Sequence, residues 1–310
     1  MAFTANDVKN LREMTGVGMM DCKKALSASD GDMDKAVDWL REKGLAAAQK
    51  KAGRIAAEGA AYADVIDGVG VVVEVNAETD FVAKNEKFMD FVKGVATAVA
   101  QSNPADVEAL MAAKFPGSDK TVLEMQQEMV LVIGENISTR RFARYTEGVS
   151  VPYIHAGGKI GVMVNMELEG IAPDAVVELG KDIAMQIAAM RPMYLDTSAV
   201  DPTELEKERA IQLGLAIEEG KSKNLPEDKA QQIAEKKVEG RINKFYEDIC
   251  LLNQPYVKEN KVSVGKHVEQ VAKELGGKIV VKGFTRFEKG EGIEKKEEDF
   301  AEEIAKLTGN

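Results

Sequence analysis

At 310 residues the chain is long enough for about two domains and a sizeable buried interior, and its 45% apolar and 30% charged residues are globular, which excludes a disordered chain. Acidic residues outnumber basic ones by 52 to 41, a formal charge of −11, so binding driven by neutralising many phosphates is excluded for the molecule as a whole. Only two cysteines occur, Cys22 and Cys250, far apart, which leaves neither a disulfide framework nor a CxxC zinc site. No run of 18 apolar residues appears, and residues 1–7 lack a basic start followed by an apolar stretch. The expectation is a cytoplasmic chain that binds neither nucleic acid nor membrane.

Residues 1–54 read as three short helices. Thr4 and Asp7 form a capping box before Val8, Leu11 and Met14, with Gly16 and Gly18 as interruption. A second helix is predicted over Met19 to Ala28, then a Ser29-Asp30-Gly31 turn. Asp32 caps a third helix on Met33, Val37 and Leu40, with Gly44 as its stop. Ten basic residues against eight acidic make this segment slightly positive in an acidic chain. A linker is expected over Ala46 to Ala57.

From Ala60 the period becomes that of strands, with Tyr62–Ile66 and Val69–Val75 joined by Asp67-Gly68 in a predicted hairpin. A helix follows on the stripe Phe88, Phe91, Val92, Val95 and Val99, ended by Asn103-Pro104. A further helix is predicted over Thr121 to Ile133 and a strand over Ile137 to Tyr145. The pattern then repeats. Val73-Glu74-Val75-Asn76 resembles Val162-Met163-Val164-Asn165, and Lys93, Val95, Ala96, Val99, Ala100 and Pro104 return 88 residues on as Lys181, Ile183, Ala184, Ile187, Ala188 and Pro192. The second half is predicted to hold strands at Pro152–His155 and Ile160–Glu167, helices at Ala175–Met190 and Val264–Leu275, and a strand at Ile279–Phe287.

Inside that half, Pro202 to about Asn253 is charged and helical in pattern, broken at Gly220 to Asp228. Val238, Ile242, Phe245, Ile249 and Leu252 advance at the spacing of a coiled-coil seam, so an antiparallel helical hairpin is expected. At 1.5 Å per residue it would project roughly 30 Å. Such an arm contacts another chain or a second copy, giving a homodimer, unless it lies back on its own core.

Catalytic patterns are thin. His155 and His267 fall on different segments, and neither HExxH nor GxSxG occurs. Gly214 to Ser222 places five residues between glycines where a phosphate loop needs four, and it sits within a charged helix, so it reads as a turn. Gly290-Glu291-Gly292 fails the dinucleotide fingerprint because Lys295 stands where its third glycine would. No cofactor, metal site or enzymatic activity is expected. Glu78 to Asn85 is unusual in placing an aromatic in a loop. Either Thr79 or Asp80 caps the next helix while Phe81 staples it to the core, or Phe81 protrudes as an anchor for a partner.

Thr79-Asp80-Phe81-Val82, preceded by Glu74-Val75-Asn76 and followed by Ala83-Lys84-Asn85, resembles a signature of the elongation factor Ts family, the nucleotide exchange factors of elongation factor Tu. Leu11 through Leu26, reading Leu-Arg-Glu-Met-Thr-Gly-Val-Gly-Met-Met-Asp-Cys-Lys-Lys-Ala-Leu, is similar to that family's other signature. The stretches His155 to Val162, Val238-Glu239-Gly240-Arg241 and Arg286 to Glu294 match as well. The resemblance implies an α+β fold in five parts: a ubiquitin-associated-like helical domain at 1–54, core subdomain N at 55–147, core subdomain C at 148–199 and 254–287, an inserted helical hairpin at 200–253, and a C-terminal helical module at 288–310.

It further implies that Thr79, Asp80, Phe81 and Val82 enter the partner's GTPase domain beside its magnesium ion and so loosen GDP. Arg12, Met19 and Met20 would grip the same domain, and His155 another. Read without the family, Met19 and Met20 are better taken as core packing of the bundle. A competing class, an adaptor or chaperone with a structural Phe81, stays open at this level.

Overall fold

The computed structural model describes residues 3–222 and 227–294. Helices α1 (Ala5–Thr15), α2 (Met19–Ala28) and α3 (Met33–Lys51) open the chain. Thr4 and Asp7 bond reciprocally across the first turn of α1, and Gly16 ends it in the left-handed region at φ 69°. Leu11, Cys22, Leu26 and Leu40 close a small core. The third helix does not stop at Gly44. It runs through to Lys51, and a Cβ at Gly44 would stand 3.3 Å from the Gln127 carbonyl oxygen, so this glycine serves close helix packing and is not a cap. Half of the stretch expected as linker, residues 46–51, is therefore helix.

Strands β1 (Glu58–Ile66) and β2 (Val69–Ala77) form the expected hairpin, with Asp67 at φ 50° and Gly68 at φ 82° as a two-residue turn requires. There follow α4 (Asp80–Ala83), α5 (Glu86–Ser102), α6 (Val107–Ala112), α7 (Val122–Ile133) and β3 (Ile137–Tyr145). Helix α6, capped by Asp106, was not anticipated, because six residues are too few to show a period. The three strands pair antiparallel in the order β1-β2-β3, and Phe88, Phe91, Val92, Val95 and Val99 of α5 cover one face.

The second half repeats this plan with β4 (Val149–His155), β5 (Ile160–Glu169), a 3₁₀ turn at Pro173–Val176 and α8 (Val177–Met190). The arm follows as α9 (Pro202–Ser222) and α10 (Glu227–Ile249). A short hairpin of β6 (Pro255–Tyr256) and β7 (Glu259–Ser263), α11 (Val264–Glu274) and β8 (Lys278–Glu288) complete the described chain, with sheet order β4-β5-β8.

The duplication extends to detail. Asn76 and Asn165, at matched places on the central strands, each donate to a backbone carbonyl beside the first strand of their sheet, Glu58 and Glu147. Helices α5 and α8 end on the left-handed residues Asn103 (φ 48°) and Arg191 (φ 50°), each followed by proline. The sheets pack face to face through Ala63, Val72 and Met163, flanked by Tyr145 and Phe287.

In the arm, Val238 and Ile242 are buried along the predicted seam. The seam ends at Ile249, for Leu252 lies in a 3₁₀ segment, Leu251–Asn253, and packs on the second core. Helix α9 pairs antiparallel with α10 through Arg209 to Glu239 at 2.7 Å and Lys237 to Glu219 at 3.0 Å. Of the predicted C-terminal module, residues 288–294 continue from β8 into turns at Gly290 and Gly292, and the rest lies outside the described residues. No described helix is long and apolar enough to cross a membrane.

Candidate functional site

The β2–α5 connection resolves the ambiguity over Phe81. Val82, 6% exposed, packs into the first core, while Phe81 is 79% exposed. The staple is the valine. Thr79 precedes α4 without capping it, because its hydroxyl and its N–H both donate to Glu135, at 2.7 and 2.9 Å. The cap of α5 is Asn85, whose Oδ1 accepts from the N–H groups of Lys87 and Phe88. Asp80 is exposed and pairs along the turn with Lys84 at 3.5 Å.

The turn is braced from several sides. One Glu78 oxygen accepts the Asn136 N–H at 2.6 Å and lies 3.4 Å from Arg54 Nη1. Asn136 Nδ2 donates to the Arg54 carbonyl at 2.8 Å, and Lys51 Nζ donates to the Gly134 carbonyl. The α7–β3 turn, Gly134-Glu135-Asn136, thus holds both Glu78 and Thr79. It is joined to the N-terminal bundle by the packing of α3 on α7 and by Arg41 to Glu124 at 2.6 Å. An exposed phenyl forgoes roughly 1.5–3 kcal/mol of burial. On a turn braced in this way, Phe81 meets water by construction.

Sequence reasoning missed Glu78, Glu135, Asn136 and Arg54 as supports. Gly134 after an apolar helix signals a stop, and it takes φ 88°. Nothing local marks the next residue as the partner of Thr79, 56 positions away.

The other named residues lie on two further elements. Met19 and Met20, at the start of α2, are 53% and 64% exposed, so the core reading fails; α2 faces its core with Cys22, Ala25 and Leu26. Arg12 is exposed on α1. Lys87 Nζ donates to the Gly16 carbonyl at 3.4 Å, fastening the α1–α2 turn to the start of α5, just beyond the Phe81 turn. His155 is exposed at the end of β4, its Nδ1 sharing a hydrogen bond with Tyr153 at 3.0 Å. The turn after it meets β1 through Ala61 N–H to the Gly158 carbonyl at 2.8 Å, close to where Glu58 pairs with Ala77. The His155 turn and the Thr79 turn therefore share one edge of the two-sheet core.

Reactive groups elsewhere are quiet. His267 stacks on Tyr256 with ring centroids 4.2 Å apart. Burial pushes the Cys22 thiol up and the Cys250 thiol to about 11, so both stay protonated and poorly nucleophilic near neutral pH. Among the described residues no three His, Cys, Asp or Glu side chains are grouped to hold a metal.

Fold and surface define the class: an α+β protein with N-terminal helices, a duplicated core of small antiparallel sheets and an inserted helical arm, presenting an aromatic on a braced turn. A family model described as Elongation factor TS matches residues 78–291. The chain is 51% identical over 311 residues to elongation factor Ts of Clostridium perfringens (strain 13 / Type A), covering 99% of each chain. Its identity to the protein of that name from Syntrophotalea carbinolica is 48% over 310 residues, 99% of this chain and all of the other. For Magnetococcus marinus the figure is 47% over 309 residues, 99% of both. The chain belongs to the elongation factor Ts family of translation elongation factors.

Proposed function

We propose that this chain acts in the cytoplasm by binding elongation factor Tu loaded with GDP, promoting GDP release, and staying bound until GTP displaces it. The observation that carries this reading is Phe81, 79% exposed on a turn that Glu135 and Glu78 brace. In the proposed complex Asp80 and Phe81 enter beside the partner's magnesium site, with Thr79 and Val82 fixing the turn from behind. Magnesium neutralises and positions the nucleotide's phosphates, so disturbing its surroundings weakens GDP without covalent chemistry and without a cofactor of this chain's own. Linkage makes the effect reciprocal: a factor that weakens nucleotide is itself weakened by nucleotide, to the same degree.

Within this reading, residues 1–54 form a domain whose Arg12, Met19 and Met20 grip the partner's GTPase domain. The core subdomains, 55–147 and 148–199 with 254–287, carry the Phe81 turn and His155, the latter meeting another domain of the partner. The hairpin 200–253 and the segment 288–310 are appendages to that core.

The test is release of labelled GDP from elongation factor Tu with wild-type protein and with Phe81→Ala. Loss of the buried phenyl contact, about 1.5–3 kcal/mol, lowers the catalysed rate at least tenfold, while the thermal midpoint of the free variant stays at the wild-type value. A folded variant that exchanges at the wild-type rate overturns the wedge, and a wild-type protein that fails to accelerate release overturns the assignment.

A further inference from the structure

On local grounds a lysine at position 87 works against its own helix. Asn85 caps α5, so Lys87 falls in the first turn, where the helix dipole is positive and a cation is unfavourable. Its side chain leaves that helix for the far end of another. Lys87 Nζ donates to the Gly16 carbonyl at 3.4 Å, and among the described residues no carboxylate pairs with it. Gly16 ends α1 in the left-handed region, its N–H bonded to the Arg12 carbonyl at 2.8 Å. A Cβ on Gly16 would stand 2.8 Å from Lys87 Nζ, so the missing side chain is what lets the ammonium in. At this negative end of the α1 dipole the same charge is favourable.

The contact joins the two elements that carry the exposed apolar side chains of the exchange reading. Met19 lies three residues beyond Gly16, with Met20 next to it, and Phe81 stands six residues before Lys87. Elsewhere the bundle is fixed through α3, by its packing on α7, by Arg41 to Glu124 and by Asn136 Nδ2 to the Arg54 carbonyl. Lys87 instead ties the α1–α2 turn itself to the helix that leaves the Phe81 turn. Two surfaces on one frame bind as a single surface, whereas play between them makes each lose its own freedom on binding.

We propose that Lys87 is a positioning residue for exchange: by holding the Gly16 carbonyl it sets the methionine surface of α2 against the Phe81 turn, so that both meet the partner in one register. The inference rests on the exchange reading above. Lys87 acts through Gly16 and makes no contact with the partner's nucleotide or magnesium. Losing it removes binding that ground state and transition state share, which raises KM and leaves kcat in place. An exposed cation on a backbone carbonyl at a helix end makes the effect a few-fold one.

Steady-state release of labelled GDP, with the concentration of GDP-loaded elongation factor Tu varied, tests the role. Lys87→Met, which keeps the apolar stem and removes the donor, raises KM about three- to fivefold, with kcat within about 1.5-fold of wild type and the thermal midpoint within about 2 °C. Lys87→Arg keeps a donor and returns KM to within about twofold, while Lys93→Met, loss of an exposed charge further along α5, leaves KM unchanged. In a chain already carrying Arg12→Ala, Met19→Ala and Met20→Ala, Lys87→Met adds less than about 1.5-fold, because the surface it positions is gone. The proposal is overturned if Lys87→Met keeps the wild-type KM, or lowers kcat instead. A full three- to fivefold effect in the triple-alanine chain also overturns it, by making Lys87 a direct contact. In each of those cases Phe81→Ala still slows release, whereas a wild type that does not accelerate release at all sinks the exchange reading itself.

Discussion

The two halves of the core share a plan yet differ at the position where their central strands match, Glu74 on β2 and Met163 on β5. Both side chains are fully buried. Met163 sits between the sheets against Ala63 and Val72, a flexible thioether filling an apolar gap. Glu74 instead binds Arg140 Nη1 at 3.1 Å, Arg141 Nε, the Gly290 N–H at 2.8 Å and Asn76 Nδ2 at 3.1 Å. That carboxylate fastens β3 and the chain leaving β8 to one point, and Arg140 reinforces it by donating to the Glu291 carbonyl. The connections after the central strands differ too. In the first half the chain makes the braced Phe81 turn; in the second, Gly170-Ile171-Ala172 leads into a 3₁₀ turn with Ile171 packed on the core. A duplicated backbone fixes where a loop begins, and the partners of that loop decide whether it hides or presents its apolar residue.

The comparison is broken most severely at Glu74. Glu74→Ala takes from Arg140 and Arg141 their shared buried carboxylate, leaving them only Glu291 and the Glu288 carbonyl as hydrogen-bond partners, and frees the Gly290 N–H, so stability falls by about 3–5 kcal/mol in urea or thermal unfolding. Met163→Ala costs about 2–4 kcal/mol through the cavity alone, and because no charge is orphaned a smaller residue with added bulk nearby recovers part of it. A carboxylate that proves as dispensable as the methionine would show that the network does not hold the C-terminal exit.

Glu135 sharpens the contrast between the two loops. Glu135→Ala removes both acceptors of Thr79, lowering stability by about 1–2 kcal/mol and catalysed GDP release about three- to tenfold, while Glu135→Gln, which keeps one acceptor, lies between. An alanine variant with full exchange activity would mean that the Phe81 turn holds its shape without the brace.

The smallest effect is in the arm. Hydrogen bonds from Lys237 and Arg241 depress the Glu219 carboxyl to about 2 from an ordinary 4.5. A depressed value means the pairing contributes fully above about 4.5 and is lost as pH falls toward 2. Carboxylate titration by nuclear magnetic resonance should place the Glu219 midpoint near 2, and a midpoint at 4.5 would show α9 and α10 unpaired at that level.

Much of the fold was legible because the signals are local. Thr4 and Asp32 cap where their side chains could reach the first turn, Asp67-Gly68 takes the two positive φ values of its hairpin, and the apolar stripes of α5 and α8 repeat at the same spacing. The errors arose where a local signal had a distant cause. Gly44 looked like a stop, and α7 makes it a packing contact. Thr79 looked like a cap, and Glu135 takes its donors. Phe81 could be read as staple or anchor, since the choice depended on whether Val82 reached the core first.

By itself the sequence determined the periods, the caps, the internal repeat and two long family signatures, because each is written in residues close enough to interact along one element. Only the tertiary structure decided which exposed residue is presented and which glycine is used. Those outcomes depend on partners tens of positions away, such as Glu135 for Thr79 and Gln127 for Gly44, brought within bonding or contact distance when the bundle, α7 and the first sheet pack together.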